Sequence, residues 1–511
     1  MPPFLQRLPD ELLDISFRGL LPPFRSQSLA DTFVFTVPVD LLNLRLVSRR
    51  FHRLATPLAW RRAQLALSSR SSLSYGALID TTNAHENGIR PSHSHRSNTL
   101  RSLARCQFLH EHPHLATHVR VLILSLSEWQ SSAHAEVTRA ALRAATQAMT
   151  SLRTVLVWDA DALSVPDIQQ LLQRPLLRAV CLMDLNGVVF PPESAGWASS
   201  GKEAGGGLQM LHVANTVCPA RLINGAKGTL ECVSIELATS GKRMGAKGSR
   251  EDQPTLREMP WGTLKEVALV DCINDEDWVC FLEGFQLHKS LGLPSSLTEL
   301  LIGDLSGLEP LRLTSLIRTF TSQPLTRLTL FHLPLLDPHL LTSIAHAFPS
   351  LTHLTLLTEG ELVPWSQPLE CYARPLSVLK HLSVLAWNNF SLEQEHATNC
   401  FMSMCEESLS KLYTRHVKAV AKWIKTIKKV KFVSTAEWVV DTAVVTKKGC
   451  AMCGVCHGEE LSGRMKVGGC MGTFGDWMRG EELGPVKVYR TTQAALHTRS
   501  WSTRSGAFED I

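Results

Sequence analysis

The sequence predicts an α/β protein: a three-helix unit at the N-terminus followed by a solenoid, a curved parallel sheet with its helices on the outside. Three observations carry this reading. One short pattern, apolar-x-x-apolar-x-apolar, recurs along most of the chain. Its starts at 297, 325, 351 and 379 lie 28, 26 and 28 residues apart. The intervals between starts contain stretches with helical spacing bounded by proline.

At the N-terminus, Leu8-Pro9-Asp10-Glu11-Leu12-Leu13-Asp14-Ile15 puts proline and two acids where a helix begins. That suits both the fixed φ of proline and the helix dipole. Leu8, Leu12, Ile15 and Leu20 continue near helical spacing until Pro22-Pro23 stops them. A second helix is predicted from Asp40, which can cap it, through Leu41, Leu44, Val47, Phe51 and Leu54. Arg45, Arg49, Arg50 and Arg53 occupy its other side, and Pro57-Leu58-Ala59-Trp60-Arg61 opens a third piece. The string "LPDELLDI" followed by "DLLNLRLVSRRFHRLATPLAW" resembles the F-box. The resemblance implies a three-helix domain over 1–66, with an insertion at 22–39. Its apolar face would dock on a Skp-type adaptor and, through that adaptor, on a cullin scaffold carrying the ubiquitin-conjugating machinery. By position, Leu8, Pro9, Leu12 and Ile15 would form one adaptor-contact patch, and Leu44, Val47, Ser48 and Phe51 another. The alternative is that these helices only cap the first apolar face of the array behind them.

Residues 67–115 read as a linker, partly disordered, because Ser, Asn, His and Gly dominate from Ser68 to Asn98. With serines interleaved and no cysteine, His85, His93 and His95 read as a solvated loop rather than a metal tract. The solenoid is predicted over 116–443. Its triplets are Val119-Leu122-Leu124, Leu152-Val155-Val157, Leu177-Val180-Leu182, Leu208-Leu211-Val213 and Leu230-Val233-Ile235. They continue as Leu264-Val267-Leu269, Leu297-Leu300-Ile302, Leu325-Leu328-Leu330, Leu351-Leu354-Leu356 and Leu379-Leu382-Val384, with Ile427-Val430-Phe432 closing the series. Each triplet reads as a short strand whose alternate side chains enter a shared core, and the next segment returns as an outer helix. Asp337 and Pro338 begin one such return, lined by Leu340, Leu341, Ile344 and Ala345 and ended by Pro349.

This pattern resembles the leucine-rich-repeat F-box proteins. The resemblance implies the substrate-recruiting subunit of an SCF-type ubiquitin ligase, itself non-catalytic, with a client protein held on the repeats. Without adaptor contact, the same array reads as a ligase-independent interaction scaffold. Side chains alternating with the buried triplets face the concave side, which nominates Trp158, Asp159, Glu299, Asp304, Arg327, Phe331, His332 and His353 for client contact.

Residues 444–511 lose the pattern and read as a cysteine-containing, disordered tail. Cys450, Cys453, Cys456 and His457 resemble a ligand set, but the second Cys or His pair that finger spacing needs is lacking, so no metal or cofactor is expected. The formal charge of +5 over 511 residues is too small to imply nucleic acid or a membrane surface as partner. No apolar run reaches the length of a bilayer span. Thirteen cysteines scattered in apolar stretches suit a reducing compartment, cytoplasmic or nuclear. The sequence has no Walker-type Gly-Lys loop, no His-Glu-x-x-His and no Gly-x-Ser-x-Gly between strand and helix, which argues against an enzyme.

Overall fold

The computed structural model describes the chain from Pro9 to Thr492, apart from 19–38, 67–93, 127–132, 186–206, 217–221, 238–255, 271–274, 306–309, 359–367, 389–415, 448–482 and shorter stretches that include Asp159 and Asp304. The chain divides into two units at Pro260 and Trp261.

Three helices open the first unit: α1 (Asp10–Arg18), α2 (Val39–Val47) and α3 (Arg49–Ala59). The single helix expected from residue 40 to 54 is two, because Ser48 is extended and its Oγ accepts from the Phe51 N–H at 3.1 Å, capping α3. Pro57 lies inside α3 instead of opening a further piece. Leu13 and Phe17 of α1 pack on Phe51, Ala55 and Leu58 of α3, with Leu44 and Leu54 beside them. The Phe17 and Phe51 rings meet edge to face at 5.3 Å. Asp10 also ties α1 to α3, accepting from Arg50 Nε and Arg53 Nη2 at 2.6 Å each. The Arg50 hydrogen bond, reinforced by both guanidinium charges, holds the Asp10 carboxyl below its ordinary range.

The strands begin at once. β1 (Arg62–Ala66) pairs in parallel with β2 (Val121–Ser125), with Ala63 opposite Leu122 and Leu65 opposite Leu124. The array therefore starts at 62, not at 116. Trp60, Ala63 and Leu65 form a rung in which tryptophan and alanine replace the usual aliphatics. β3 (Thr154–Trp158), β4 (Ala179–Leu182), β5 (Met210–Thr216) and β6 (Cys232–Leu237) follow, each parallel to its predecessor. Parallel strands that neighbour one another in sequence order are what a solenoid-like coil produces, since each return segment advances by one strand. The returns include α4 (Ser94–Glu111), which falls inside the expected linker, and then α5 (Pro113–Ala116), α6 (Ala133–Ala148) and α7 (Val165–Leu172). Ser164 and Asp167 form a reciprocal capping box on α7, and Arg143 of α6 donates from Nε to Asp167 Oδ1 at 2.7 Å, joining the two helices.

The second unit repeats the plan. β7 (Glu266–Val270), β8 (Glu299–Ile302), β9 (Arg327–Leu333), β10 (His353–Thr358), β11 (Val384–Trp387) and β12 (Lys429–Ser434) are successively parallel. Their returns include α8 (Asp275–Ser290), α9 (Pro310–Phe320), α10 (Pro338–Ala347) and α11 (Leu369–Ala373). Asp337 caps α10 by accepting from the His339 N–H at 3.0 Å, and Leu340, Leu341, Ile344 and Ala345 are buried as the sequence predicts. Gly292 takes a φ of 68° just past α8, a left-handed turn that glycine reaches without steric cost. β13 (Val439–Lys447) and β14 (Leu483–Thr492) then add antiparallel strands, where a disordered tail is expected from 444 onward.

The registers test the triplets directly. From Val119-Leu122-Leu124 to Leu351-Leu354-Leu356, every triplet side chain is at most 5% exposed. Leu379-Leu382-Val384 is three residues out of step. Leu354 faces Leu385 and Leu356 faces Trp387, so the rung is Leu382-Leu385-Trp387, with all three side chains at 0%.

Candidate protein-interaction surfaces

Two surfaces stand out, one on the helices and one on the sheet. On α1, with Leu13 and Phe17 turned inward, the opposite side carries Leu12 at 48% and Ile15 at 64% exposure. On α2, Leu46 is 85% and Val47 46% exposed. Each helix is only nine residues long, and apolar groups left in water on so short an element are a standing cost unless a partner covers them. Of the predicted adaptor contacts, Pro9, Leu12, Ile15 and Val47 lie exposed and Leu44 is half-buried against the helical core. Ser48 is exposed but engaged as the α3 cap. Phe51 is 2% exposed, so it supports the surface from beneath and does not form it. Leu8 lies outside the described residues. The sequence reading missed Leu46. Its signal was that "VDLLNLRLV" contains more apolar residues than one face of a nine-residue helix can bury.

On the sheet, burial separates β2 to β4 of the first unit from β8 to β10 of the second. In the first, Val121, Ile123, Leu156, Ala179, Cys181, Met210 and Cys232 form a buried cluster on the strand face opposite the triplets, and Trp158 packs against it. The strands there are buried on both faces, so Trp158 belongs to packing more than to an open groove. In the second unit, the first four residues of β8, β9 and β10 alternate, with Glu299, Leu301, Arg327, Thr329, His353 and Thr355 at least partly exposed. The register places Glu299, Arg327 and His353 on one lateral row, and Arg327 Nε lies 3.6 Å from Glu299 Oε1. These three predicted client residues are thus brought together.

Phe331 is 2% exposed, packed with Leu357, Ala386 and Leu301, and is therefore part of the interior. His332 has a φ of 50°, and the β9 to β10 register shifts between Leu356 and Thr358, so it is the extra residue of a bulge. Asp159 and Asp304, like Cys450, Cys453, Cys456 and His457, lie outside the described residues. Among the described residues, no group of three or more His, Cys, Asp or Glu is placed to hold a metal ion. No described helix is long and apolar enough to cross a membrane. No family model matches the chain, and a search of curated proteins finds no match.

Proposed function

We propose that this chain is the substrate-recruiting subunit of an SCF-type ubiquitin ligase. In this reading α1 to α3 are an F-box that binds a Skp-type adaptor and, through it, a cullin scaffold. The parallel array behind them is a divergent leucine-rich-repeat solenoid that holds a protein client, and ubiquitin transfer is catalysed by the recruited partners, in the cytoplasm or nucleus. The observation that carries the reading is the exposure of Leu12, Ile15, Leu46 and Val47 on helices from which Leu13, Phe17 and Leu44 pack into the helical core. A cap needs its apolar residues turned toward the array, whereas these four are left in water.

The test is capture of a purified Skp-type adaptor by the full chain and by Leu12→Asp/Val47→Asp, with far-UV circular dichroism to show that the array stays folded. Loss of capture in the folded double variant supports the ligase. Equal capture by both chains, or no capture by the parent chain, favours a ligase-independent scaffold.

A further inference from the structure

We infer that the residues immediately preceding β2, β3 and β4 form a docking column for an acidic peptide segment of a protein partner. These residues are Arg120, Arg153 and Arg178. Each occupies the same rung: the Arg120 N–H donates to the Arg61 carbonyl, the Arg153 N–H to the Arg120 carbonyl and the Arg178 N–H to the Arg153 carbonyl, all at 2.8 Å. Three guanidinium side chains therefore leave the backbone side by side, at the ~4.8 Å separation of neighbouring strands. Like charges directly opposite one another weaken a sheet. Here nothing in the described residues offsets them, since no ion pair joins any of the three to a carboxylate, and Arg153 Nη1 is buried without a hydrogen-bond partner. Burial first, and then the charges of Arg120 and Arg178, depress the Arg153 guanidinium. The surroundings are basic as well. Arg61 holds the preceding rung, the ladder turns acidic only at Glu231 beyond Gln209, and His118 is held down by burial and by the charges of His114 and Arg120.

The second unit shows that the fold does not require arginine there. Between Lys265 and Lys428 the equivalent rung reads Thr298, Thr326, Thr352 and Ser383, and each N–H donates to the preceding rung's carbonyl. Each hydroxyl donates to that same carbonyl, at 3.1, 3.2, 2.9 and 3.1 Å. A hydroxyl ladder satisfies itself within the protein, whereas an arginine column completes itself only with an anion.

The geometry favours a slim polypeptide. Side chains on one face of an extended peptide recur every ~6.7 Å, so two carboxylates can sit astride three guanidiniums, each shared between neighbours. The column is a single file with half-buried side chains, on a chain whose formal charge is only +5, which does not supply the broad field that nucleic acid needs. The inference rests on the recruitment reading only in taking the protein partner to be a recruited client, and its test involves no adaptor, so the two can fail separately.

The probe is fluorescein-labelled hexaglutamate, followed by anisotropy at low salt with the full chain. The variant is Arg120→Thr/Arg153→Thr/Arg178→Thr, which copies the second unit's own solution. Peptide affinity should fall at least tenfold while Tm stays level or rises, because repulsion is removed. The control Arg318→Thr/Lys380→Thr, which removes two exposed cations elsewhere, should leave affinity within about twofold. Should the threonine chain not fold, Arg→Gln and Arg→Lys at the same three positions make the comparison, with loss expected in the first and retention in the second. Unchanged affinity in the neutral variant overturns the proposal. So does a parent chain that binds a twelve-residue oligothymidine more tightly than the peptide through the same arginines.

Discussion

Asn388 should be among the costliest single positions in the second unit, and the reason lies where a ladder runs out. β10 and β11 pair from His353–Val384 to Leu356–Trp387 and no further. Thr358, just beyond, is 0% exposed and so is Asn388. The Asn388 side chain replaces the missing strand. Its Oδ1 accepts from the Thr358 N–H at 2.8 Å and from Thr358 Oγ1 at 3.0 Å, and its Nδ2 donates to the Thr358 carbonyl at 2.9 Å. Asn388→Ala removes these partners from two buried backbone groups and a hydroxyl. At about 1–3 kcal/mol for each buried group deprived of its bond, the two backbone groups alone imply a loss of about 2–6 kcal/mol. Asn388→Asp keeps the acceptor but loses the donor and buries a charge, so it should be no milder. Because two units need not unfold together, the readout is segment-resolved hydrogen exchange alongside urea unfolding. Protection over 353–358 and 384–388 should drop by well over tenfold, while Lys380→Ala on the nearby surface changes nothing. A fall of less than about tenfold, which is about 1.4 kcal/mol, would show that the side chain is not replacing a strand.

Three further outcomes follow from burial. His416, which meets the Trp387 ring edge-on at 5.5 Å, is pushed by burial to a pKa of about 3. The unfolded chain takes up that proton near 6.5, so stability is complete above that pH and declines as pH falls toward about 3. Urea midpoints at pH 7 and pH 5 should show the decline, and His416→Phe should flatten it. Burial likewise raises the Cys106 thiol to about 12 and also raises Cys181, so neither should react with a maleimide at neutral pH until the chain unfolds. Mass spectrometry of labelled peptides reads this against the partly exposed Cys371. Phe51→Ala should cost about 3–5 kcal/mol through loss of its contact with Phe17, and circular dichroism melting should show it, whereas Leu46→Asp should leave the melt unchanged.

The repeating strands were legible because their inward positions obey one spacing and water leaves no other place for those side chains. Two rungs were read wrongly, for opposite reasons. At Leu379 the apolar residues are dense enough to satisfy the pattern twice, and only the pairing of Leu354 with Leu385 selects the right frame. At Trp60-Ala63-Leu65 an atypical first rung escaped a search tuned to aliphatics. The break at Ser48 could have been read from the serine itself, a strong helix cap standing before Phe51. β13 and β14 could not, since their pairing joins segments far apart in the chain and depends on register, which composition does not carry.

The outward positions were legible too, and the expectation that all of them face an open groove overlooked it. "VLIL" and "VLVW" are continuous apolar runs, the signature of strands buried on both faces, whereas "TRLTL" and "THLTL" alternate. The structure follows this division, with β2 to β4 enclosed and β8 to β10 half-exposed. Among the described residues, β8 to β10 leave the strand face partly open where Glu299, Arg327 and His353 share a row, whereas β2 to β4 enclose it. The rung before β2 to β4 carries Arg120, Arg153 and Arg178, which no ion pair among the described residues joins to a carboxylate. Each unit thus offers charge where its own strands leave backbone or side chains within reach. Substituting Arg327 should weaken a client held on the strand face without affecting an acidic peptide held by Arg153, and the reverse should hold for Arg153.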